Sequence, residues 1–244
     1  MNLSFIIDQT SIHPLLLCAI EYLIALGFLY AAIRLFGKIG VLVFIVLCIQ
    51  IGNIQVLKAT PIFDTSMALG TILFTLSYMA TDLLADVYGR KMAYQGIWLG
   101  FFGTLMICVF MVMTLTYPSS HESFFNTNHL AMVQLFAPVP AILIASFAAY
   151  LISQSCDVLI FMRLKEKLLL NNLRLRFFIS TALSVFLDNL IFSALAWHYL
   201  SYHPLPWSVI LVTYIGGTYA LRLVMTVVNL AFVQYFRNAL RQCP

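Results

Sequence analysis

The sequence predicts an all-α integral membrane protein, a bundle of about seven transmembrane helices, and three observations carry that expectation. Hydrophobic residues make up 62% of the 244 and charged residues only 9%. Mean hydropathy is +0.97, whereas a soluble domain carries about 25% charged residues and a far more polar average. The apolar residues also fall into stretches close to the roughly 20 residues that cross the hydrocarbon core of a bilayer. The formal net charge of +4 would suggest acidic partners in a soluble protein. Here the bases cluster between apolar stretches, where they orient a membrane chain, so nucleic acid is not an expected partner.

The spans follow in order from these stretches, each with bounds good to a few residues. The first, roughly 15 to 36, carries Glu21 and is not preceded by the basic segment of a signal peptide, so it is expected to remain as a mature helix. The second, roughly 39 to 57, places Gln50 and Asn53 on one face and ends at Lys58, which can snorkel to an interface. The third, roughly 65 to 88, aligns Tyr78, Asp82 and Asp86, and the fourth covers roughly 92 to 117. The fifth, roughly 132 to 162, aligns Tyr150, Gln154 and Asp157; the sixth, roughly 177 to 200, aligns Thr181, Ser184 and Asp188. The seventh, roughly 207 to 236, holds Arg222 near its middle, where a guanidinium faces the bundle interior and needs a partner; Asp188 is the natural one.

Between the second and third spans, Ala59 to Gly70 interrupts the hydrophobicity with Pro61, Phe63, Asp64 and Gly70. It reads either as an outer loop or as a re-entrant, broken-helix entry, which membrane depth tolerates only against protein or a water-filled cavity.

Loop charges give an orientation. Arg34 and Lys38, Arg90 and Lys91, Arg163 to Arg176, and Arg237 and Arg241 share one side, which the positive-inside rule makes cytoplasmic. The N-terminus, the Pro118 to Asn128 loop and the His198 to Pro206 turn fall outside. Cys18, Cys48, Cys108 and Cys156 lie in apolar spans and Cys243 in the tail; without metal-ligand spacing they read as packing residues. No zinc-protease motif or phosphate-cradling glycine loop occurs, and His13, His121, His129, His198 and His203 sit at interfaces or in loops. No enzyme, catalytic residue, cofactor or metal is expected.

The intramembrane charges carry the functional expectation. An acid near a helix centre costs about 2.5 to 3.5 kcal/mol on insertion scales, so Asp82, Asp157 and Asp188 point to a polar site, not to glue alone. Hydroxyl and amide residues, by contrast, commonly serve as interhelical glue. A short echo, Asp157, Leu159, Ile160 and Phe161 against Asp188, Leu190, Ile191 and Phe192, suits a transporter built of related halves.

These polar stretches also form a pattern. Asn53-Ile-Gln-Val-Leu-Lys58, Thr81-Asp-Leu-Leu-Ala-Asp-Val-Tyr-Gly89, Ser153-Gln-Ser-Cys-Asp157-Val and Ile179-Ser-Thr-Ala-Leu-Ser-Val-Phe-Leu-Asp188 resemble successive signatures of the queuosine precursor transporter family, also called the vitamin uptake transporter family. The resemblance runs from about Gly40 to Asn229 and implies one transporter domain: an extra N-terminal helix (1–38), a family core (39–236) and a cytoplasmic tail (237–244). In that family, six helices import deazaguanine precursors of the modified tRNA nucleoside queuosine. Several positions depart from the family: Asp86 shortens the usual Glu, Val185 replaces a Gln, Phe177 and Phe178 replace an Asn pair, and Asn229 stands where an Asp is common.

Such a substrate suits the residues. A guanine-like edge presents an N1 hydrogen beside an amino group, and a carboxylate accepts both. Asn and Gln can donate to O6, and Tyr78, Tyr88 or Phe192 could stack on the rings for about 1 to 3 kcal/mol. Asp82 and Asp188 are therefore expected to bind the ligand or couple an ion, with Asp157, Asp86 and Tyr78 as further substrate or coupling groups. Asn53 and Gln154 would orient the substrate, and Arg222 and Lys58 would be structural or gating charges. Expected partners are a small deazaguanine (7-cyano-7-deazaguanine, 7-aminomethyl-7-deazaguanine or queuine), the lipid bilayer, a coupling proton or cation, and a second copy of the chain. Composition alone leaves open a self-sufficient secondary transporter, a binding subunit of an importer energised elsewhere, a carrier of another vitamin-like solute, and an assembly protein whose acids only pair with Arg222 and Lys58.

Overall fold

A computed structural model describes residues 13–62, 65–120, 122–136, 140–166, 171–201 and 204–242. Helix α1 (Pro14–Gln55, 42 residues) starts with proline at its first position, and the ring nitrogen of His13 accepts from the Leu15 amide at 3.3 Å. It is not one rod. Gly37 sits at φ 55°, ψ −132°, a conformation open to glycine because it has no Cβ, and the chain reverses there. Two contacts demonstrate the reversal: Gly40 lies so near Ala32 that a Cβ would come 2.1 Å from its carbonyl oxygen, and Gln55 donates to Glu21 at 2.7 Å across the two arms.

Beyond α1, Ala59–Ile62 (β1) and Thr65–Ala68 (β2) pair antiparallel, Ala59 opposite Ala68 and Ile62 opposite Thr65. The stretch expected to be a loop or a broken helix is therefore a β-hairpin, the one departure from an all-helical fold among the described residues. Proline at position 61 and β-branched Thr60, Ile62 and Thr65 favour extended backbone over a helical turn. Asp64 lies outside the described residues.

Next come α2 (Thr71–Tyr88), α3 (Arg90–Thr116), α4 (Ser123–Phe136), α5 (Pro140–Glu166), α6 (Leu173–Ala194) and α7 (Gly217–Arg241). The end of α6 widens into a π-helix (Leu195–Tyr199), and α7 is entered through a short turn (Trp207–Val209) and a second π-helix (Ile210–Gly216). Of the expected fifth span, 132 to 162, residues 132–136 form the end of α4, which has no buried residue, and residues 140–162 lie in α5; residues 137–139 lie outside the described residues. After α5, helix α6 begins at Leu173 instead of 177, capped by the Asn172 side chain on the Arg174 and Leu175 amides.

Among the described residues, five helices are long and apolar enough to cross a membrane: α1, α3, the 144–166 part of α5, α6 with its π-helical extension, and α7. Burial is distributed inside out. Phe28, Leu35, Phe36, Phe102 and Val224 are exposed, whereas Asp82, Gln154, Asp157, Ser180, Thr181, Ser184 and Asn229 are buried. In water such an apolar surface would drive aggregation; against lipid tails it costs nothing, and the polar groups turn to one another.

The axis of this interior is α2, buried nearly throughout from Thr71 to Asp86. The second arm of α1 and helices α3, α5, α6 and α7 surround it. Close approach of α3 depends on small residues: a Cβ on Gly100 would lie 2.4 Å from Ile49 and 2.5 Å from the Tyr150 hydroxyl.

Candidate functional site

Tyr78, Asp82 and Asp86 are successive four-residue steps on one face of α2, and each heads a polar layer completed by the neighbouring helices. The spacing is that of adjacent helical turns, so the layers stack along the bundle axis.

In the first layer Tyr78 donates to Ser153 of α5 at 2.8 Å, and Ser153 donates to Asp188 of α6 at 3.0 Å. Asp188 pairs with Arg222 of α7. That is the partner expected for a mid-span arginine. Arg222 also lies over the Phe74 ring at 5.8 Å, a cation–π contact that shares the task of satisfying its charge. The two charged side chains keep 12% (Arg222) and 17% (Asp188) of their surface accessible, whereas Tyr78 and Ser153 are closed.

The middle layer is different in kind. Asp82 and Asp157 of α5 are fully buried and face each other. Ser180 donates to Asp82 Oδ2 at 3.3 Å, and the hydroxyl of Ser184, also fully buried, stands beside Asp157. Asp82 Oδ1 and both oxygens of Asp157 accept no well-formed hydrogen bond from any described residue. No cation pairs with either acid among the described residues; Arg176 acts on Asp82 only through space. Beside this layer Gln154 donates to Ser77 at 3.3 Å while its carbonyl oxygen has no partner.

The third layer reverses the balance. One buried carboxylate, Asp86, receives Arg176 at 2.8 Å, Lys165 at 3.3 Å, Arg237 at 3.0 Å and Arg241 at 3.7 Å. Lys165 also donates to the Asp86 carbonyl at 2.8 Å, and Arg176, itself buried, stacks 4.9 Å over Phe161. These bases come from α5, α6 and α7, so one acid ties four helices together. Lys38 over the Tyr88 ring at 5.9 Å brings the Gly37 reversal to this same end. The bases used to orient the chain thus gather at one end of the bundle.

Other expected site residues stay apart. Asn53 is half-buried at the end of α1 and makes no side-chain hydrogen bond among the described residues. Lys58 is exposed beside the hairpin, where its carbonyl accepts the Leu69 amide at 2.9 Å. Asn229 accepts a 2.8 Å bond from Tyr22 on the first arm of α1. Sequence reasoning missed Ser153 as the bridge from Tyr78 to Asp188, and read Lys165, Arg176, Arg237 and Arg241 only as orienting charges. The Ser153–Asp157 spacing, one turn on the same helix face, was the available signal for the bridge. A groove of about 550 Å³ lined by Arg90, Lys91, Tyr94, Gln95 and Trp98 lies along α3 and contains none of the residues of the three layers.

A family model described as "Putative vitamin uptake transporter" matches residues 68–236, a region that includes the first two layers and all of the third except Arg237 and Arg241. A Bacillus subtilis (strain 168) protein named "Probable queuosine precursor transporter" is 29% identical over 81% of this chain and 83% of its own length. A Haemophilus influenzae protein of the same name is 32% identical over 47% of this chain and 46% of its own. No solved structure matches the chain significantly.

Proposed function

The chain belongs to the vitamin uptake transporter family, and we propose that it imports queuosine precursors for tRNA modification as a self-sufficient secondary transporter of a bacterial inner membrane. Membership makes it a multi-pass membrane transporter and not an enzyme. The substrate is proposed from the printed names of the two relatives, which this chain resembles at 29% and 32% identity.

One observation supports placing the substrate at the first layer: the Asp188 carboxylate, paired with Arg222, keeps 17% of its side-chain surface accessible, whereas the Asp86 carboxylate keeps 1%. There the Asp188 carboxylate would exchange its single guanidinium contact for the N1 hydrogen and amino group of a guanine-like edge, two donors side by side that a carboxylate accepts together. Tyr78 would hold Ser153 in place, the free Gln154 carbonyl would accept a further ring donor, and Phe74 offers an aromatic face. Arg222, released, would be the gating charge. The ion-paired Asp86 layer would close the opposite end of the path.

The proposed topology has seven crossings: the two arms of α1, then α2, α3, α5, α6 and α7, with the N-terminus outside and the Asp86 end cytoplasmic. Membrane-impermeant labelling of single cysteines tests it. Label at position 120 and none at 165 in intact cells is expected, and the opposite pattern overturns the orientation.

For function, the chain is expressed in a bacterium blocked in precursor synthesis and lacking its own importer, and tRNA is run on a boronate matrix that retards the queuosine diol. A shift is expected with 7-cyano- or 7-aminomethyl-7-deazaguanine. No shift with either or with queuine, from protein present in the membrane, overturns the substrate. Uptake by the purified chain in liposomes separates a self-sufficient carrier from a subunit that needs an energising complex.

A further inference from the structure

Resting on the reading of this chain as a secondary transporter, we propose that the carboxyls of Asp82 and Asp157 hold between them the proton that drives uptake. The three layers treat their acids differently. Asp188 has Arg222, and Asp86 has four bases. A proton arriving at either must compete with a cation already bound there. Asp82 and Asp157 offer no such competition, since each faces the other and no cation pairs with either among the described residues.

Two ionised carboxylates offer only lone pairs, so two of them in contact away from water repel, and the pair is satisfied when one proton joins them. The surroundings are built for that. Asp82 and Asp157 are fully buried, and so are Ser180 and Ser184 beside them. Three of the four carboxyl oxygens accept no well-formed bond from any described residue, and the Ser184 hydroxyl stands beside Asp157.

The charged and titratable groups around the pair come from each packed helix. They are Tyr78 and Asp86, one turn to either side on α2; Arg176 on α6, already engaged with Asp86; and the Asp188–Arg222 pair one layer away. In the step itself no bond other than the O–H bond changes. A proton enters from the side of higher proton activity and joins one carboxylate, giving an acid that donates to its neighbour. It leaves to the other side after the bundle reorients, restoring the doubly ionised pair. The helices that carry the pair, α2 and α5, also carry Tyr78 and Ser153 of the substrate layer, so loading the proton and reshaping that layer share the same rigid elements.

Infrared difference spectroscopy of the purified protein in lipid tests the site without any substrate. At neutral pH the wild type is expected to show the carbonyl stretch of a protonated, buried carboxylic acid, shifted in deuterium oxide. Asp82→Asn and Asp157→Asn should each abolish it, because an amide then donates to the remaining carboxylate and no shared proton is needed. Absence of the band in the wild type overturns the proposal, as does a band that survives both substitutions or one displaced by sodium but not by pH. A second arm uses proteoliposomes and labelled 7-aminomethyl-7-deazaguanine. Asp157→Asn is expected to keep substrate exchange at equal pH while accumulation driven by an inward proton gradient falls to the equilibrium ratio. If the wild type shows the infrared band but no exchange, the substrate assignment fails and the proton site stands. If exchange proceeds and the band is absent, the reverse holds.

Discussion

The middle and inner layers of this bundle are separated by one turn of α2, and they treat a buried carboxylate in opposite ways. Around Asp86 the protein collects Lys165, Arg176, Arg237 and Arg241 on one acid. Around Asp82 it places a second acid and hydroxyls, and no pairing base among the described residues. Removing a charge from water costs several kcal/mol whether or not a partner repays it. The inner layer repays it with partners at an end of the bundle where bases are cheap to place. The middle layer does not, and a polar group left in debt inside a membrane is a place where an ion or ligand can settle the difference. On the proposed reading, Asp86 serves scaffold and closure, and Asp82 and Asp157 carry the working cycle.

The largest expected effect tests the scaffold half. Asp86→Ala leaves the buried Arg176 and its neighbours without an anion, and breaking such a buried network by removing one partner costs about 3 to 5 kcal/mol. A steep fall in the thermal midpoint of the detergent-purified protein is expected, and an unchanged midpoint breaks the comparison at its strongest point.

The Asp188–Arg222 pair should lie between the two extremes, because it is matched one to one and partly accessible. Asp188→Asn is expected to cost about 1 to 3 kcal/mol of stability, the penalty of an unsatisfied buried group, and to end uptake. Adding Arg222→Met should return stability but not uptake. Recovery of both in the double variant would place the pair in the scaffold with Asp86.

Asp82→Asn and Asp157→Asn carry the smallest stability effect, since an amide is cheaper to bury than an acid in a pair of like charge. Melting close to wild type is expected, together with at least a tenfold loss of gradient-driven uptake, equivalent to about 1.4 kcal/mol. A cooperative loss of fold in either variant would show that the middle layer is structural after all.

Much of this was legible beforehand because a membrane makes charge expensive. Three acids and one arginine inside apolar stretches stand out in a chain with 9% charged residues. A mid-span Arg222 needs an anion, so its pairing with Asp188 followed from cost alone. Helical periodicity put Tyr78, Asp82 and Asp86 on one face for the same reason that it puts any i and i+4 on one face. Other features were illegible. Nothing local marks Lys165 and Arg237 as partners of one acid, because they come together only when α5 and α7 pack around α2. The stretch from Ala59 to Gly70 was visible as an interruption, but its hairpin form was not.

Sequence by itself determined the class of this protein, the faces of its helices and the existence of an intramembrane polar site, because hydropathy and the 3.6-residue period act locally along the chain. Only the tertiary structure decided which acid meets one base, which gathers four and which meets a second acid. A carboxylate's state depends on the groups that reach it from other helices. Their distance is set by close packing at places such as Gly100 and by the reversal at Gly37, not by separation along the chain.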